Sequence, residues 1–203
     1  MILAIDSASA ACTAALLTRD GEVIAERHEE IGRGHAERLM PMVAELLGER
    51  VATRILVGVG PGSFTGLRVA IAAAHGMAIG WSVPLSGFDS LALVAASAPG
   101  TGPVGVAMLG GHGEWFVAQY DRPQFTLLDP IASRTPDDAV RAISARVVVG
   151  SAAAEFVARR GHGEALAMLP HAARVLDLPL ALRSLDPRPV YARDPDARPA
   201  VAA

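Results

Sequence analysis

The chain has 203 residues, 51% of them hydrophobic, and a formal net charge of −3. That length supports one globular unit or two small subdomains around a buried core, and the lack of a basic excess argues against unaided binding to nucleic acid. The single cysteine, Cys12, excludes an internal disulfide and a cysteine-based metal cluster, and it reads as a buried thiol in a reducing compartment.

In chain order, "MILAID" (1–6) is a short apolar run that reads as a buried strand. "ACTAALLT" (11–18) is a second strand, "RDGE" (19–22) an Asp-Gly turn, and "EVIAERHE" (22–29) a third strand by its alternation. "HAERLMPMVAELLGE" (35–49) switches to helical periodicity and ends at Gly48. Pro41 is predicted to kink this helix or disturb its early turn. "RILVGVG" (54–60) is an apolar central strand, followed by a helix from about Ser63, a strand at 82–88, and a helix at 90–98 capped by Asp89 or Ser90.

"PGTGP" (99–103) is a break, after which the order begins again. Strands are predicted at 104–109, 114–121 and 124–130, a helix at 135–144 with Pro136 in its first turn, a strand at 146–150 and a helix at 151–161. Each half reads strand-strand-strand-helix-strand-helix. The fold class is therefore α/β, with two tandem ribonuclease-H-like subdomains of the actin/Hsp70/sugar-kinase plan. Their expected bounds are 1–100 and 101–186, with an extended Pro-rich tail over 187–203. Within the tail, Val190 and Tyr191 are expected to dock and the chain to be disordered after about 197. Met1 leads straight into "ILAID" without a basic run, and "VAIAAAHGMAIGW" is too short to span a bilayer, so a cytoplasmic protein without membrane contact is expected.

"VGVGPGSFTGLRVA" (57–70) has the parts of a phosphate cradle: glycines between a strand and a helix. It lacks the Lys-Ser/Thr pair of a P-loop, and Gly60, Gly62 and Gly66 are spaced one residue too long for a dinucleotide fingerprint. Gly60, Pro61 and Gly62 read instead as a tight strand-to-helix turn, with Ser63 or Thr65 as the cap. Gly66 marks a close backbone approach, and the small residues from there to Gly76 suit tight contact with another helix. An ATPase of this plan needs an aspartate followed by glycines in its first hairpin. Asp6 stands where a metal-organising aspartate belongs, but Ser7 to Ala10 contain no glycine. An ATPase or small-molecule kinase using Asp6 stays open as the alternative.

"GPGSFTGLRVA" after a strand, "ILAIDSA" at the start and "HAERLMPMVAELL" between them resemble the TsaB family of tRNA threonylcarbamoyladenosine biosynthesis proteins. "GEWFVAQYD" and the closing "PVYARDPDA", similar to a P-x-Y-x-R pattern, extend the resemblance. Leu109, Gly110 and Gly111 depart from the family's Asp-Ala-Arg at that hairpin. The resemblance implies a non-catalytic protein without a cofactor of its own. It implies a heterodimer with the paralogue TsaD, which carries the metal and active site, acting with the ATPase TsaE, which uses ATP. The complex transfers a threonylcarbamoyl group to the adenosine next to the tRNA anticodon, and this chain meets tRNA only through it. Self-association is implied where the paralogue is absent.

In the catalytic paralogue two histidines one helical turn apart bind the metal; here His35 is followed by Leu39, and one imidazole does not hold a catalytic metal. His35 is expected to be exposed at the helix start. The other histidines show no i, i+4 pairing, which counts against a metalloprotease. The expected partner surface comprises His35, Leu39, Met42, Val43 and Leu46 on the first helix and Phe64, Leu67, Arg68 and Ile71 on the second, a subset of them exposed in the lone chain. Met40 and Met42 suit an adaptable contact, and Arg68 suits a partner carboxylate or a place at the rim.

Overall fold

The computed structural model describes residues 1–122 and 124–192. Strands β1 (Ile2–Asp6), β2 (Ala11–Leu17) and β3 (Val23–Glu30) form an antiparallel meander. Helix α1 (His35–Leu47) leads to β4 (Arg54–Gly58), α2 (Phe64–Trp81), β5 (Leu85–Phe88) and α3 (Ser90–Ser97). β4 and β5 join parallel to β1, giving the order β3-β2-β1-β4-β5. The second half repeats this with β6 (Val104–Leu109), β7 (Trp115–Asp121), β8 (Thr126–Arg134), α4 (Pro136–Ala142), β9 (Val147–Val149), α5 (Ala153–Arg160) and β10 (Glu164–Leu166). Its order is β10-β9-β6-β7-β8.

Side-chain alternation sorts the core into layers. Leu3 and Ile5 of β1 face α1 and α2, while Ile2 and Ala4 join α3 and the inner face of the second sheet. Val104, Val106 and Met108 of β6 close that shared middle layer, whereas Ala107 faces the cluster under α4 and α5. Helix α3 is buried on nearly every side, which explains its almost uninterrupted apolar sequence. Its start is fixed by Asp89, whose Oδ1 accepts from Leu91 N and Ala92 N at 2.8 and 3.0 Å and whose Oδ2 accepts from Tyr120 Oη at 3.1 Å.

α1 is one 13-residue helix with Pro41 inside it. One expected strand is corrected. β8 lies later than 124–130 and carries Pro130, tolerated because β8 is an edge strand whose pairing with β7 shifts register there. β10 has only three residues, too few to leave a readable pattern. Among the described residues no helix is long and apolar enough to cross a membrane.

A short 3-10 turn, Ala172–Asp177, packs into the middle layer, where Ala172 N donates to Thr13 Oγ1 at 3.1 Å. His171, just before it, stacks on His28 of β3 with ring centroids 4.6 Å apart and planes 4° from parallel. Burial, and next the neighbouring His171, hold the His28 imidazole below its ordinary value, against the opposite pull of Glu26 and Glu30. A base depressed on folding contributes stability that is present above its unfolded pKa of about 6.5 and lost as pH falls through the lower folded value. Thermal unfolding scans between pH 7.5 and 5.5 are expected to show a falling midpoint, with a shallower fall for His28→Gln. Equal slopes for the two proteins would refute this assignment.

Candidate functional site

The glycine-rich loop is filled by the chain's own backbone. A Cβ on Gly62 would overlap the Ala8 carbonyl, and one on Gly66 the Ser7 carbonyl. Ser63 N donates to Ala8 O at 2.7 Å, and Ser7 Oγ donates to Gly66 O at 2.8 Å. Ser63 caps α2, its Oγ accepting from Gly66 N at 3.3 Å, while Gly60 turns the chain with φ of 96°. The close backbone neighbour of Gly66 is therefore the β1–β2 turn, not a helix. That turn and the α2 start are stitched together where an anion cradle would need open amides.

Asp6 anchors the same junction from inside. Its Oδ1 accepts from Ala8 N at 2.8 Å and its Oδ2 from Ser90 Oγ at 2.6 Å. Ser90 Oγ in turn accepts from Gly60 N at 3.2 Å, so the carboxylate ties together β1, the glycine loop and α3. Burial raises the Asp6 pKa, outweighing the hydrogen bonds that lower it. Between this junction and the β6–β7 hairpin lies a cavity of about 10 Å³, lined by residues such as Ala8, Ser9, Gly62, Ser90, Met108 and Leu109. No charged side chain lines it. It has room for about one water.

α1 and α2 pack side by side over the first sheet. Leu39, Met42, Val43 and Leu46 of α1 and Leu67 and Ile71 of α2 are all interior, and all but Leu67 belong to the apolar cluster shared with β1, β2 and β4. Their assignment to a partner surface is corrected: the period that made them look like one stripe is the core-facing stripe. His35, which follows the left-handed turn at Gly34, is also buried, not exposed. Its Nε2 has no hydrogen-bond partner among the described residues. Of the predicted surface, Phe64 and Arg68 are exposed.

The outward face includes Met40 and Gly76, which the sequence suggested for contact, together with residues that it did not single out. Ala36, Met40 and Ala44 lie along α1, and Ala72, Gly76 and Ile79 continue the row of Arg68 along α2. Ile79 is 78% exposed and Met40 44%. A legible signal was present: over 18 residues α2 carries no acidic residue and one arginine, although half of its surface faces solvent. At the start of α2 the Arg68 guanidinium lies 3.6 Å over the Phe64 ring.

A model of the family described as TsaD, tRNA N6-adenosine threonylcarbamoyltransferase, matches residues 21–179. The Escherichia coli K12 protein named tRNA threonylcarbamoyladenosine biosynthesis protein TsaB is 37% identical over 131 residues, which cover 61% of this chain and 56% of that protein. The Bacillus subtilis protein of the same name is 37% identical over 101 residues, covering 47% and 44%. A Pseudomonas aeruginosa crystal structure, described as an uncharacterized protein with similarity to peptidase YeaZ, superposes with a TM-score of 0.79 at 30% identity, over 95% of this chain and 99% of that one. The chain belongs to the TsaB branch of the TsaD family. It spans about half the length of the curated TsaB relatives that it matches.

Leu39, buried on the core face of α1, stands one turn after His35, and no cluster of three ligating side chains occurs among the described residues. Ser7 and Ala8 occupy the glycine cradle. At the TsaB-like C-terminus, Val190 N donates to Val59 O at 2.8 Å and Tyr191 stacks on Phe64. The pattern's arginine at 193 and the expected disorder beyond 197 lie outside the described residues.

Proposed function

We propose that this chain is the non-catalytic docking subunit of a machine that forms threonylcarbamoyladenosine in tRNA, and that the outward face of α1 and α2 receives the catalytic TsaD-type paralogue. One observation carries this reading: rows of small and apolar residues, with Met40 on α1 and Ile79 on α2, stand exposed in the lone chain beside Glu37 and Glu45. Small side chains allow another helix pair to approach closely, and exposed apolar patches of this kind mark interaction sites. The names of the relatives place those proteins in this biosynthesis. The site residues favour docking over chemistry here, because Asp6 is held by hydrogen bonds within the fold and no group of three ligating side chains forms among the described residues.

On this reading the chain needs no cofactor, ATP is used by a TsaE-type ATPase of the complex, and tRNA is met only through the assembly, in the cytoplasm. Without the paralogue, the same face pairs with a second copy. Co-expression with the paralogue is expected to give one co-eluting species in size-exclusion chromatography. Calorimetry of the lone chain with Mg-ATP is expected to give no heat of binding. Separate elution would refute the docking role, and micromolar ATP binding lost in Asp6→Ala would establish the ATPase alternative.

A further inference from the structure

Residues 183–192 cross the first sheet as a strap. Leu185 bridges to Gly87 at the free edge of β5, with Gly87 N donating to Leu185 O at 2.7 Å and Leu185 N to Gly87 O at 3.0 Å. Further on, Val190 N donates to Val59 O at 2.8 Å, and Ser133 N of β8 donates to Ala192 O at 3.2 Å. Two glycines make room for it: a Cβ on Gly87 would lie 2.9 Å from Asp186 O, and one on Gly60 3.1 Å from Val190 O. The strap thus occupies a seat fitted to its backbone, and it delivers Tyr191 to the first turn of α2. There the Tyr191 ring lies 5.6 Å from that of Phe64, and its hydroxyl accepts from Arg68 Nε at 3.1 Å. Phe64 and Tyr191 remain 55% and 48% exposed. Arg68 forms no ion pair among the described residues.

We propose that the strap is part of the docking surface: Tyr191, held against Phe64 and Arg68, extends the α1–α2 face past the start of α2 and anchors the catalytic paralogue there. This rests on the docking reading above. The occupant is an apolar helix surface of the paralogue with a carboxylate at its margin. Three features favour it: the cluster is continuous with the exposed row of α2, it presents a guanidinium whose charge the described residues leave unmatched, and it combines the two side-chain types that dominate binding energy at interfaces. Partner binding and strap docking then reinforce each other, since the partner meets Tyr191 in place only when the strap is seated.

The test measures affinity of the full chain for the paralogue by calorimetry. Tyr191→Ala is expected to weaken binding at least about tenfold, as loss of an aromatic anchor does. Tyr191→Phe, which keeps the ring, should cost less than about threefold, since one exposed hydrogen bond is worth little. Val190→Pro, which removes the strap's donor to Val59 O, should follow Tyr191→Ala although it leaves the ring intact. Wild-type affinity in both Tyr191→Ala and Val190→Pro, with binding lost on charging Met40 and Ile79, overturns the strap's role and leaves the α1–α2 face standing. Undiminished binding after charging Met40 and Ile79 overturns both. If Tyr191→Ala weakens only self-association, the occupant is a second copy and the proposal fails.

Discussion

A double substitution of Met40→Glu and Ile79→Glu is expected to abolish co-elution with the catalytic paralogue while leaving the lone chain folded. Each side chain is exposed in the monomer, 44% for Met40 and 78% for Ile79, so neither supports the core. Surface changes of this kind usually move stability by less than about 0.5 kcal/mol. In a docked complex both would be covered. Only the exposed 44% of Met40 and 78% of Ile79 is left to bury, so losing that burial removes roughly 2–4 kcal/mol, and desolvating two carboxylates adds to that. The affinity should therefore fall by at least about a hundredfold, given about 1.4 kcal/mol per factor of ten. Circular dichroism melts check the fold, and size-exclusion chromatography of the mixed proteins checks the complex. A useful contrast is Leu39→Ala, one residue from Met40 but buried in the core. It should lower stability by about 2–5 kcal/mol, with binding affected only through unfolding. A double glutamate variant that still co-elutes at the wild-type position would remove the α1–α2 face from consideration.

Much of the fold is legible in the chain because both halves follow strong periodic patterns. The apolar runs of β1, β4 and β6, the Asp89 cap and the Gly161 stop all mark elements within a residue or two of where they lie. Elements set by tertiary contact were not legible. β10 exists because β9 offers it an edge, and the 3-10 turn at 172–177 because the middle layer needs filling. The same limit governs the docking face. Helical periodicity finds the stripe that alternates with polar residues, and in α1 that stripe is the core: Leu39, Met42, Val43 and Leu46. The exposed stripe of α2 is visible only as missing charge, a weaker signal in a sequence already rich in alanine. Gly66 is an intermediate case. Its position within a helix announced a close backbone contact, but which backbone fills it depends on a residue nearly sixty positions earlier in the chain.

Gly66 and Gly76 make that dependence measurable, because the same substitution in the same helix is expected to act with opposite sign. At Gly76 an added Cβ meets nothing within 4 Å. Gly76→Ala should therefore raise stability by about 0.4–1 kcal/mol, by restricting the unfolded chain and improving helix propensity. At Gly66 the added Cβ would overlap the Ser7 carbonyl, which is main chain and cannot rotate away. The β1–β2 turn must separate from α2, straining or breaking the bonds from Ser63 N to Ala8 O and from Ser7 Oγ to Gly66 O. Overpacking costs about 1–3 kcal/mol, and each disrupted hydrogen bond about 1 more. Gly66→Ala is thus expected to destabilise by about 3–5 kcal/mol on these grounds. Urea unfolding followed by tryptophan fluorescence would read both, Gly76→Ala moving the midpoint up and Gly66→Ala moving it down. If both variants shift it upward, helix propensity alone governs these positions and the stitched turn plays no part. If the signs oppose, the glycine-rich loop is retained to seat the chain's own first turn, and the cradle that its spacing suggests is already occupied by Ser7 and Ala8.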